Sequence, residues 1–192
     1  MNQHWPVTIF GDEILLRPLR YQDRKKWNAV RAENREWLSP WEATTPRLYA
    51  DEADQNHLLP SYFGMVRTLN TEAKQARSFT FAIWKDRNLI GQISLGAVVY
   101  GALRGGHIGY WIDRNFANKG YTSAAVELLT EYAFKSLLLH RIEINLRPEN
   151  AASRRVAEKA GYIFEGGRAR YLHIDGDWRD HICFVKENPS IK

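Results

Sequence analysis

Asn115-Phe-Ala-Asn-Lys-Gly-Tyr-Thr-Ser123 separates two kinds of pattern, and its reading decides the fold. Before it, His107–Asp113 reads as a strand; after it, Tyr121–Leu138 reads as a helix. In that helix Ala125, Leu128, Leu129, Tyr132 and Ala133 fall on one face at helical spacing. Arg141–Arg147 is strand-like again, and Ala151–Ala160 helical. Strand, helix, strand, helix in that order predicts a parallel pair with a helical crossover. Within the quoted stretch, Asn118 and Gly120 reach positive φ more cheaply than most residues. A loop of that shape aims consecutive backbone N–H groups at an anion, and a helix N-terminus adds partial positive charge. Lys119 and Thr122 add side-chain donors. Alone, the stretch fits an ordinary strand-to-helix turn equally well.

Working outward, the N-terminal half has a different character. Thr8–Leu19 is β-like, with Ile9, Ile14, Leu15 and Leu16, and stops at Pro18. Tyr21 to Ala32 predicts a helix with Trp27 and Val30 on one face, and Asp51–Gln75 a longer helical region interrupted by Pro60. Phe79–Lys85 and Leu89–Tyr100 are strand-like, joined by a turn at Lys85-Asp86-Arg87-Asn88. In the second run Leu89, Gly91, Ile93, Leu95, Ala97 and Val99 alternate with Gln92 and Ser94. At the other end, Tyr162–Ile174 and Trp178–Lys186 flank Asp175-Gly176, a two-residue hairpin signal. The economical architecture is an α/β domain over residues 1–192, built on one mixed sheet with an antiparallel N-terminal half and a parallel pair in the middle.

Composition excludes several classes. The chain has 192 residues, enough for a core in one domain. Its one cysteine, Cys183, rules out an internal disulfide and a cysteine-cluster metal site. No run approaches the ~20 apolar residues of a membrane span, and Met1–Phe10 lacks a signal-peptide pattern. A cytoplasmic protein is expected. The net charge of +5 is spread along the chain, without a basic arm for nucleic acid.

A second candidate is Asn150-Ala-Ala-Ser153. Asn150 is placed as an N-cap and Gly161 as the residue past the C-cap of the same helix. Ser153 puts a hydroxyl in the first turn, facing either a ligand or solvent. Both candidates sit at the C-terminal ends of adjacent strands predicted parallel, where open α/β sheets hold ligands.

Tyr110-Trp-Ile-Asp, Asn118-Lys-Gly-Tyr-Thr-Ser, Asn150-x-x-Ser153, Lys159-Ala-Gly-Tyr162 and Glu165-Gly166 together resemble the acyl-CoA-binding half of the GNAT superfamily of N-acetyltransferases. Asn34-Arg-Glu-Trp-Leu-Ser-Pro-Trp-Glu42 and Tyr171-Leu-His-Ile-Asp-Gly-Asp-Trp-Arg-Asp-His181 resemble its RimJ/RimL group, which acetylates ribosomal-protein N-termini. The resemblance implies a GNAT fold of about seven strands with a splayed parallel pair. It also implies acetyl-CoA as co-substrate, no metal, and a protein N-terminus as acceptor, the protein being a monomer or a homodimer. The pantetheine arm would lie on a bulged strand at Trp111 and Ile112, and the pyrophosphate on Asn118, Lys119, Gly120, Tyr121, Thr122 and Ser123. Asn150 and Ser153 match positions that contact the arm, with Ser153 as general acid for the departing thiolate. The carbonyl donor would be a backbone N–H at the bulge near Trp111. Three loop positions depart from the family pattern: Ala117 replaces Gln or Arg, Asn118 replaces Gly, and Thr122 replaces Gly or Ala.

The base is less legible. Arg170 stands where RimL-like members carry an acidic residue, so Glu42, His107, Asp175 and Asp177 are the substitutes. Trp41, Tyr171 and Asp175 are candidates for the acceptor groove, and Trp37 fits the groove or the core. Other acceptors remain open: lysine, a small amine or an antibiotic, or none in a ribosome-associated CoA-binding module. Cys183, between Ile182 and Phe184, reads as a sheet cysteine, and His4, His57, His140 and His173 lack metal-ligand spacing.

Overall fold

In the computed structural model, which describes residues 5–46 and 61–191, eight strands form one sheet. Their order is β1 (Ile9–Phe10), β2 (Leu15–Arg17), β3 (Phe79–Lys85), β4 (Asn88–Val99), β5 (Gly105–Ile112), β6 (Arg141–Leu146), β8 (Asp177–Glu187) and β7 (Ile163–Ile174). The first segment supplies two strands rather than one, because Gly11 N–H closes a turn on the Ile14 carbonyl at 2.9 Å. The helices are α1 (Arg24–Glu33), α2 (Arg35–Leu38), α3 (Tyr62–Lys74), α4 (Tyr121–Lys135) and α5 (Ala151–Lys159). The expected helix at Tyr21 begins as a 3-10 turn over Tyr21–Asp23. Helix α4 stops at Lys135, short of Leu138, which takes a left-handed φ of 53°. The predicted helical stretch from Asp51 to Pro60 lies outside the described residues. Among the described residues, no helix is long and apolar enough to cross a membrane.

Strand β3 is covered on both faces. Phe79, Phe81 and Ile83 point into a cluster with Val126, Leu129 and Ala133 of α4, while Ala82 and Trp84 meet Tyr62 and Val66 of α3. Alternation of period two therefore serves two cores at once, at ~1.5–3 kcal/mol for each large apolar side chain buried. Tyr132 stands edge-on to Phe79 and Phe81, with ring centroids 5.9 and 6.1 Å apart. Trp27 of α1 packs on the second cluster and donates to Gln92 Oε1 at 3.1 Å.

Every neighbouring pair is antiparallel except β5–β6. That parallel pair holds only where Gly105, Gly106 and His107 face Arg141, Ile142 and Glu143. Beyond it the strands part, since β6 continues along β8 from Arg141 to Leu146 and β5 along β4 to Ile112. The β4–β5 ladder runs unbroken from Gly91↔Ile112 to Gly96↔His107 and is irregular only between Gly96 and Val99. The expected bulge near Trp111 is thus absent from β5, and the irregularity lies in the neighbouring β4 at the other end of the ladder, where Ala97 takes a φ of 46°. The register next to Trp111 is held close: a Cβ on Gly91 would stand 2.4 Å from the Trp111 carbonyl.

Asp23, 4% exposed, anchors α1. Its carboxylate takes two bonds from Arg17, at 2.7 and 2.9 Å, and one from Arg20 N–H at 2.8 Å. Burial raises its carboxyl pKa; the bonds from Arg17 and Arg20 outweigh burial and leave it below the ordinary value. A depressed folded pKa means stability that is present above the unfolded value and lost as pH falls through the folded one. Asp23→Asn should therefore cost ~1–3 kcal/mol at pH 7. In urea melts across pH, the gap from the native protein should close below pH ~4.

Candidate active site

A cavity of about 1040 Å³ opens where β5 and β6 part. One end is the stretch that opened the sequence reading. Asn118 and Gly120 both adopt positive φ, 60° and 87°, and Gly120 is the N-cap of α4. The first-turn amides of Tyr121, Thr122 and Ser123 have no partner within the helix. Asn118, Gly120, Thr122 and Ser123 line this end, facing Arg155 and Lys159 of α5. Lys119 and Tyr121 stand beside the lining, both packed on Phe116. Unfilled N–H groups, a helix N-terminus and two cations make an anion cradle. Ala117, in the lining, offers no side-chain donor.

The middle of the cavity is the stem of the parting strands. Gly109, Tyr110, Trp111 and Ile112 of β5 face Asn150 and Ser153 of α5. Asn150 caps its helix as expected: its carboxamide oxygen accepts from Ser153 N–H at 2.9 Å, and the residue lines the cavity. Gly161 closes the same helix with a φ of 77°. Ser153 Oγ is 2.8 Å from the Tyr110 hydroxyl.

Tryptophans wall the third end: Trp27, Trp37, Trp41 and Trp111. Trp37 donates its indole N–H to the Ile112 carbonyl at 3.2 Å, which holds it in the cavity wall. Arg31, one turn beyond Trp27, lies 5.2 Å over the Trp111 ring and pairs with Glu42. Two devices hold this wall. Asn34 donates to buried Asp113 at 3.1 Å and accepts from Arg114 N–H at 2.8 Å, pinning the α1–α2 junction to the end of β5. The β7–β8 hairpin pins the other side: Asp175 N–H donates to the Glu42 carbonyl at 3.1 Å, and Ala43 bridges Ile174.

Of the four carboxylate and histidine candidates for a base, Glu42 lines the cavity. Asp175 and Asp177 occupy the exposed hairpin turn, and His107 lies in the paired part of β5. Tyr171 is turned to the sheet, accepting from Arg168 at 3.0 Å and packing on His181. Arg170 is exposed at a bulge of β7, its N–H on Asp180. Cys183 is buried, and burial pushes its thiol up to about 11, unlike a nucleophilic cysteine. It neighbours Glu143 and Glu165, and these three bring ligand atoms within 4.8 Å of one another. Both carboxylates are already paired with Arg141, and Glu143 also with Arg168.

Residues 13–163 match the family model described as Acetyltransferase (GNAT) domain. The chain belongs to the GNAT acetyltransferase family. It is an acetyl-CoA-dependent N-acetyltransferase, and its mixed sheet has eight strands where about seven were expected. It is 33% identical over 182 residues to a Bacillus subtilis protein named "Probable N-acetyltransferase YjcK", covering 94% of this chain and 97% of that one. It is 28% identical to the Escherichia coli [ribosomal protein uS5]-alanine N-acetyltransferase, over 96% of this chain and 92% of the other. The solved structure of Mycobacterium smegmatis RimJ in complex with CoA-disulfide superposes with a TM-score of 0.86 at 34% identity, covering 97% of this chain and 90% of that one.

Arg31, Lys159 and the contact between Tyr110 and Ser153 were not foreseen from the sequence. Lys159 carried a signal, since 152, 155, 156 and 159 repeat at helical spacing and all line the cavity. Gly120→Ala should strain the left-handed residue by ~1–2 kcal/mol. It should also weaken CoA binding in calorimetric titration; native affinity in the variant would remove the loop from the site.

Proposed function

We propose that acetyl-CoA fills the cavity from the α4 cradle to the Trp111 stem, and that the acceptor is the N-terminal α-amine of a protein. Ala or Ser is the first residue expected, and a ribosomal protein the class of substrate. The observation that carries the reading is the acceptor end itself. There the cavity is walled by indoles, and the two carboxylates of its lining, Glu42 and Glu149, are each paired with an arginine, Arg31 and Arg147. A carboxylate so engaged suits an amine that needs little help losing its proton. An α-amine of pKa ~7.7–8.0 is ~10–20% neutral at pH 7, whereas a lysine at ~10.4 is ~0.04% neutral. The similarity to the uS5-alanine enzyme along nearly the whole chain supports the same acceptor class.

The chemistry follows from the lining. The amine enters between Trp37 and Trp41, and Glu42 accepts a hydrogen bond from it and serves as base. Its nitrogen attacks the thioester carbonyl, whose oxygen is stabilised by backbone N–H of the unpaired side of β5 near Trp111. The C–S bond breaks with its electron pair on sulphur, where Ser153 Oγ–H donates. Phosphates lie against Gly120, Thr122, Ser123 and the cations Arg155 and Lys159, with Lys119 at the rim.

Mass spectrometry of acceptors incubated with acetyl-CoA tests this. Peptides beginning with Ala or Ser should be acetylated at the α-amine, and N-terminally blocked, lysine-containing peptides should not. Glu42→Gln should lower kcat/KM for the peptide ~10-fold, a loss of ~1.4 kcal/mol in transition-state stabilisation. Faster acetylation of lysine or of a small amine would overturn the acceptor assignment.

A further inference from the structure

Tyr110 and Ser153 approach each other across the stem of the cavity, one from β5 and one from α5. The Tyr110 hydroxyl lies 2.8 Å from Ser153 Oγ and 3.3 Å from the Ser153 carbonyl oxygen. Both partners are held from behind. Tyr110 is registered opposite Ile93 and packs on the main core; the Ser153 N–H is fixed by the Asn150 cap.

Each hydroxyl has one proton to give. In one arrangement Ser153 donates to Tyr110 and Tyr110 donates to the Ser153 carbonyl. The serine proton is then used up on tyrosine. In the other, Tyr110 donates to Ser153 Oγ, and the serine proton is left to bond a group in the cavity. The shorter contact is the one between the two hydroxyls, and both arrangements use it. The choice between them is set by what the cavity holds.

We propose that Tyr110 is a positioning residue for acetyl transfer, whose O–H donates to Ser153 Oγ and so turns the serine proton onto the sulphur of the departing CoA thiolate. This rests on the placement of Ser153 at the departing sulphur proposed above, with the serine as a hydrogen-bond donor to the thiolate rather than a general acid. As the C–S bond breaks, charge on sulphur draws the serine O–H toward it, which makes Oγ a better acceptor for Tyr110. The two bonds strengthen together. Neither proton leaves its oxygen. Burial pushes the Tyr110 hydroxyl up to about 12, far above the ~8.5 of a free thiol, so the pair stabilises a thiolate without protonating it. The proton lost by the acceptor nitrogen passes to Glu42 and from there to water.

Tyr110→Phe keeps the ring and removes one oxygen. Tyr110→Phe and Ser153→Ala should each lower kcat ~10-fold, the scale of one charge-assisted hydrogen bond, with KM for acetyl-CoA little changed. The double variant should be no slower than Ser153→Ala, because the tyrosine acts only through the serine. A second measurement needs no acceptor: the thiol of CoA bound to the enzyme, titrated by its ultraviolet thiolate absorbance. The native protein should hold that thiol below its free pKa, and both single variants should return it by the same amount. A native thiol pKa in Tyr110→Phe, or a double variant whose losses multiply, would overturn the role of Tyr110 while leaving Ser153 in place. No effect of Ser153→Ala on either readout would overturn both. A wrong acceptor assignment leaves the thiol titration readable.

Discussion

Two parallel strands that pair over Gly105–His107 and Arg141–Glu143 and then part are the constraint on which the site depends. Past that point, alternate backbone groups of β5 face an opening instead of a neighbouring strand. Backbone N–H and C=O groups demand partners, so the sheet carries its own polar ladder for an extended ligand. Trp37 already claims one of those groups, the Ile112 carbonyl. Neither strand can close the gap. β6 is bonded to β8 along its length and β5 is bonded to β4, so the opening is enforced by ladders on both sides.

The chain then decorates this wedge with parts drawn from separate segments. The left-handed Asn118 and Gly120 turn the backbone into the first turn of α4 and expose its amides. Asn150 opens α5 with its cap and sets Ser153 opposite Tyr110. The tryptophan wall is bound from two directions, by Asn34 to Asp113 and by the β7–β8 hairpin to Glu42. Each tie is a hydrogen bond worth ~1 kcal/mol net, yet each fixes an aromatic or charged group that the cavity uses.

What was legible in the sequence was local chemistry. The Asp175-Gly176 hairpin, the Asn150 cap, the Gly161 stop and the turn at Gly120 follow from the backbone preferences of a few adjacent residues. Long-range pairings left no such trace. Arg31 meets Glu42 only because α2 and a 3-10 turn over Ser39–Trp41 double the chain back, and β8 enters between β6 and β7 from the far end of the sequence. The irregularity in the β4–β5 ladder was misplaced for the same reason. It falls at Ala97, a residue with no intrinsic liking for a left-handed φ, and tertiary context supplies what the sequence lacks. Tyr110 was quoted within a motif without a role, because its partner lies 43 residues away.

The central claim is that the wedge between β5 and β6 delivers a thioester to Ser153 beneath the tryptophan wall. The most direct measurement is a crystal structure of the protein with CoA. The predicted result has the sulphur within hydrogen-bond distance of Ser153 Oγ, the pantetheine amides bonded to the backbone of Gly109–Ile112, and the pyrophosphate on Gly120–Ser123. A sulphur that emerges away from Ser153, or an arm that leaves the β5 backbone unpaired, would contradict it.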